Sequence, residues 1–151
     1  MILESLLAFA HIAAVLGLVV FATSETALTR EEWLNAAVVH RLVRVDLLCR
    51  IAAGAVLLTG LARIYFGMKG AAWYWGQPLL HAKLALYVVL AGMSFLPTRS
   101  FQAWQRRLVA DGSLPAPEAI RRVRRRLMAS THLLIVVPLL AALLARGVWA
   151  R

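Results

Sequence analysis

The chain has 151 residues, 62% of them hydrophobic, with a net charge of +10 and a mean hydropathy of +0.74. Soluble domains run about 45–50% apolar, so too few polar residues remain to clothe a water-facing bundle, and the composition predicts an all-α integral membrane protein. Its single cysteine, Cys49, excludes an intrachain disulfide and a cysteine-based metal cluster.

Four stretches approach the roughly 20 apolar residues needed to cross about 30 Å of hydrocarbon. The first, residues 2–24, holds only Glu4 and His11 as ionisable groups. It lacks a basic leading region and a small-x-small cleavage site, so it reads as a retained span rather than a signal peptide. Thr29 followed by Glu32 fits a capping box. That box predicts a helix running from Thr29 through His40 and Arg44 into the second span, residues 47–66. Asp46 and Arg50 lie four apart and can pair on one helix face, while Cys49 reads as a packing residue. The link 67–77 carries Trp73, Tyr74 and Trp75, as an interfacial aromatic belt does.

The third span is residues 78–97. Beyond Pro97, Thr98 or Ser100 can cap a new helix with Phe101, Trp104 and Leu108 on one face, which predicts an amphipathic helix lying on the inner leaflet. Asp111-Gly112-Ser113 breaks it, and Pro115 and Pro117 precede a second basic helix feeding the fourth span, residues 127–145. Pro138 is expected to bend that span by removing one backbone hydrogen bond. The four spans form one domain.

Arginine sets the expected topology. Eight arginines lie between the third and fourth spans and four between the first span and the start of the second, twelve of the 17 basic residues on one side. By the positive-inside rule that side is cytoplasmic, with both termini periplasmic and the chain multi-pass in a bacterial inner membrane. The same arginines suit anionic lipid headgroups better than nucleic acid.

The informative residues are those lipid does not tolerate: His11, Arg63, His81 and Lys83. Intramembrane ionisable groups mark a pathway, a cofactor or an ion pair. His11 lies roughly 14 Å below the outer end of its helix, and His81 and Lys83 roughly 5–8 Å down theirs, at 1.5 Å per residue. All four therefore gather at one membrane level. His81 and Lys83 are about 200° apart around their helix, so at most one faces the core. Such a group suits haem b, with His11 as axial ligand, His81 or Lys83 opposite or nearby, and Arg63 on a propionate. A copper-like ion held by His11 and His81, with Met68 nearby, is a weaker pattern. The alternative is a cluster with no cofactor, in a non-enzymatic bundle acting as a small transporter or accessory subunit. Gly54, Gly60 and Gly92 then mark close helix contacts within or between chains. His40 and His132 form a second possible pair near the inner interface, and Glu25 is placed to meet Arg44 or Arg50.

Two resemblances add to this. Gly60-Leu61-Ala62-Arg63, Gly67-Met68-Lys69-Gly70, Tyr74, His81-Ala82-Lys83-Leu84 and Phe95-Leu96-Pro97-Thr98 together resemble a family of uncharacterised bacterial four-helix membrane proteins, over nearly the whole chain. Phe9-Ala10-His11-Ile12 and Leu80-His81-Ala82-Lys83-Leu84 resemble, more distantly, HemJ-type protoporphyrinogen oxidases and, beyond them, copper-resistance D-type membrane proteins. The second resemblance implies haem b and functional roles for His11 and Lys83. The chain departs from the HemJ-type pattern after His11, where it reads Val15-Leu16-Gly17-Leu18, and in the last helix, where it reads Thr131-His132. An electron-transfer or oxidoreductase role is the expectation, with a redox partner or a second copy of the chain as possible associates.

Overall fold

The computed structural model describes residues 2–68 and 70–146; Lys69 of the family pattern lies outside them. The described residues form helices joined by short links and contain no strand. Helix α1 is Ile2–Leu28, followed by a 3-10 turn, Glu31–Trp33, and by α2, Ala36–Phe66. A short α3, Ala71–Trp75, leads into α4, Pro78–Asp111, then α5, Pro117–Leu134, and α6, Val136–Ala145. Four helical rods are long and apolar enough to cross a membrane: α1, α2, α4, and α5 continuing into α6. They close into a ring in which α1 packs on α2, α2 on α4, α4 on α5 and α6, and α5 back on α1.

The rods α2 and α4 outrun the bilayer furthest. The 31 residues of α2 and 34 of α4 span about 46 and 51 Å at 1.5 Å per residue, against about 30 Å of hydrocarbon. The excess lies at the arginine-rich end. There Val39, Leu42, Phe101, Trp104, Ile120, Val123 and Leu127 form a buried core shared by α2, α4 and α5. Phe101 meets Trp104 edge-on at 5.6 Å. Arg121 ties the 3-10 turn to α5 through Glu31 at 2.7 Å and Glu118 at 2.9 Å.

This core overturns two sequence expectations. Pro97 does not end the third helix, and the segment bearing Phe101 and Trp104 does not lie flat on a leaflet; both belong to the continuous α4. An interior proline costs about 3 kcal/mol, whereas burying Phe101 and Trp104 returns about 1.5–3 kcal/mol each, so continuing the helix wins. Thr98 is buried and its hydroxyl donates to Asp46 Oδ1 at 2.6 Å, which also holds the proline turn against α2.

The capping box is a third correction. Thr29 is fully buried and closes the last turn of α1, its hydroxyl donating to the Glu25 carbonyl at 2.7 Å. The residue that starts α2 is Asn35, extended at φ −141° and accepting from the Val38 amide through its side chain. Gly112, with φ 73°, ends α4 in the left-handed conformation that glycine adopts without strain. The fourth rod is interrupted at Ile135, three residues before Pro138. A proline there has no N–H for the Leu134 carbonyl, and the chain tightens instead, with the Ile135 amide bonding to the His132 carbonyl at 3.2 Å.

Candidate functional site

At the end of the bundle opposite the arginines, the helices enclose a cavity of about 700 Å³. Its walls are mainly apolar, with Glu4, His11, Arg63, Lys83 and Tyr87 among the residues lining it. That size falls within the range of small-molecule and cofactor sites. Three of the four residues singled out from sequence therefore share one space: His11 from α1, Arg63 from α2 and Lys83 from α4.

His81 is not among them. It is exposed, its Nδ1 bonds to the Gln77 carbonyl at 3.0 Å, and its ring lies beside Trp75 with centroids 6.1 Å apart. The near-opposite bearing of His81 and Lys83 on α4 turns Lys83 inward and His81 outward. The two-imidazole arrangement of His11 and His81, expected for copper or for paired haem ligands, is thus not what the bundle assembles. Among the described residues no group of three or more histidine, cysteine or acidic side chains converges on a metal site.

His11 is buried and held in a defined way. Its Nδ1 lies 2.9 Å from the Thr59 hydroxyl, and that hydroxyl donates its own proton to the Ala55 carbonyl at 2.6 Å. A hydroxyl has one proton, so the Thr59 oxygen accepts from Nδ1–H. In the tautomer that donates from Nδ1, Nε2 keeps a lone pair. Gly60 makes room for the ring: a Cβ there would stand 3.3 Å from His11 Cε1. Gly54 and Gly92, by contrast, face open space and make no close helix contact among the described residues.

Arg63 has a partner that sequence reasoning missed. Glu4 Oε1 sits 3.5 Å from its Nη2, and Glu4 Oε2 accepts from the Met68 amide at 3.1 Å. Glu4 thereby fastens the start of α1 to the end of α2. A side chain at Gly67 would overlap the Arg63 carbonyl oxygen, which keeps this crossing open. The available signal was positional, since Glu4 begins one span and Arg63 ends the next at the same level. Arg63 Nε is buried without an acceptor. Lys83 makes no ion pair or hydrogen bond within the described residues. Tyr87 donates to the Ala53 carbonyl at 2.9 Å and braces α4 on α2 beneath them.

A second polar group lies nearer the arginine-rich end. Asp46 is buried and pairs with Arg50 Nε at 3.1 Å, as its spacing predicts. Glu25 is also buried but forms no ion pair with Arg44 or Arg50 among the described residues, and its Oε1 has no partner. Arg50 is already committed to Asp46 four residues away. His40 and His132 are not a pair: His40 Nδ1 accepts from the Gln105 amide at 3.2 Å, and the exposed His132 donates to its own helix at Met128.

A family model described as a predicted membrane protein (DUF2214) matches residues 3–149, nearly the whole chain and all four rods. No curated protein and no solved structure matches. The chain belongs to the DUF2214 family of membrane proteins.

Proposed function

We propose that the cavity holds haem b and that the protein serves an electron-transfer or oxidoreductase role in the membrane. The observation that carries this reading is the state of His11. With the Thr59 hydroxyl donating to Ala55, its oxygen is placed to accept a hydrogen bond from Nδ1–H, and Nε2 then keeps its lone pair in a buried, mainly apolar wall, which is how ligating imidazoles are usually oriented by their neighbours. Lys83 and Arg63 supply cations for the propionates, and the apolar walls suit the macrocycle. Bound iron supplies one-electron chemistry, its potential set by the axial ligand and the surroundings. The residues fit the group with one imidazole, since the other three histidines do not line the cavity, and Lys83 serves the group as a cation. The distant HemJ-type resemblance around His11 and Lys83 supports the same reading. We place the site in the outer half of an inner-membrane bundle, with both termini periplasmic and the arginine-rich end against anionic lipid.

The Glu4–Arg63 pair favours a second reading, in which the ions balance one another without a cofactor in a transporter or accessory subunit. Oxidised and dithionite-reduced absorption spectra, with a pyridine haemochrome assay, separate the two. The protein is made in cells supplied with a haem precursor and purified in mild detergent. Near-stoichiometric haem b is the expected result. A folded, colourless protein contradicts the haem reading and leaves the second.

A further inference from the structure

The cavity is closed unevenly. On one side α1 lies along α2, and α1 meets α5 where Thr26 and Thr131 hydroxyls stand 3.2 Å apart. Beyond the break at Ile135, α1 and α6 share no extended packing among the described residues. The cavity is lined on α1 by Ile12 and Leu16, among others, and on α6 by Val137, Pro138 and Ala141. Those named are apolar, and Ile12 and Leu16 are 56% and 61% exposed. In a bilayer an opening of this composition faces hydrocarbon rather than water.

The polar end of the same cavity is unbalanced in charge. Arg63 and Lys83 line it, but among the described residues Glu4 is the only carboxylate that does so, and Glu4 is already shared between Arg63 and the Met68 amide. A lysine in a membrane segment normally snorkels outward or finds a counter-ion. Lys83 lines the cavity instead, with no acceptor among the described residues. The missing group is one negative charge, next to an apolar opening onto lipid.

We propose that the cavity is a bilayer-accessible site for an amphiphile bearing an ionised carboxylate. Lys83 binds the carboxylate, and the gap between α1 and α6 admits and holds the apolar body. The inference rests on the same cavity as the haem reading and deepens it, because haem with its propionates is one member of this class. It stands or falls on a member that contains no haem.

The test uses haem-free protein in nanodiscs, checked by haemochrome assay, and titrates dibromostearate against its methyl ester. Trp73 lines the cavity and bromine quenches its fluorescence at contact. The acid is expected to give a saturable quenching component that the ester lacks and that Trp73→Phe removes. Lys83→Met should weaken it at least about tenfold, the scale of one charge-assisted hydrogen bond, while Lys83→Arg retains it. A tryptophan placed at the opening by Leu16→Trp, in the Trp73→Phe background, should be quenched over the same concentration range. The proposal is overturned if acid and ester quench alike without saturation, or if Lys83→Met leaves the saturable part unchanged. Quenching at the Leu16→Trp position that never exceeds the ester's overturns the lateral opening. Haem content is read separately, so a failure of the haem reading leaves these outcomes decisive.

Discussion

The two ends of the bundle solve opposite problems with the same four rods. At the arginine-rich end, α2, α4 and α5 overrun the hydrocarbon and bury aromatic and branched side chains against one another, as a water-soluble domain does. At the other end the helices stand apart around a cavity, and the smaller cluster of Ile64, Leu79 and Leu80 contributes to its wall. Fixed geometry is concentrated where no candidate site lies. Glu4, His11, Arg63 and Lys83 gather where packing is incomplete, as expected of a site that must admit something.

This contrast is sharpest under mutation of the packed end. Phe101→Ala or Trp104→Ala is expected to cost about 3–5 kcal/mol, read as a large drop in thermal stability in detergent, whereas Leu84→Ala on the cavity wall should cost clearly less because the space is already there. Equal losses would erase the distinction between the two ends. Asp46→Ala should follow at about 2–3 kcal/mol: breaking a buried pair costs about 3–5 kcal/mol, but the Arg50 side chain is 47% exposed and recovers part of that in water. Asn35→Ala should remove about 1 kcal/mol through the lost cap. At the cavity, Glu4→Gln should cost less than about 1 kcal/mol for a partly exposed pair, and should tighten binding of an anionic ligand because Arg63 is released. The smallest effect is expected at Glu32. Thr29 does not cap α2, so Glu32→Ala should lie within about 0.5 kcal/mol of the parent in the same melts.

Much of the fold was legible in the residues. Span number, the charge asymmetry, the Asp46–Arg50 pair and the stop at Gly112 all follow from local spacing. What local spacing did not show was the path of the chain through Pro97 or the start of α2. At Pro97 the proline signal is real, but the core around Phe101 and Trp104 outweighs it, and that core exists only once α2 and α5 are in place. Thr29 satisfies a capping pattern, yet its hydroxyl serves the helix behind it. At the site, the sequence brings His11, Arg63 and Lys83 to one level, and the helical bearing of Lys83 against His81 leaves room for only one of them. Glu4, Thr59 and the cavity itself required three-dimensional proximity, since each acts on a residue of a different helix.

The most direct measurement is haem content per chain, by pyridine haemochrome, for the parent protein beside His11→Ala, both confirmed folded and both made with a haem precursor supplied. Near-stoichiometric haem b in the parent and its loss in His11→Ala is the expected result. A parent protein without haem, or a His11→Ala variant that keeps it with an unaltered spectrum, would contradict His11 as the ligand in this cavity.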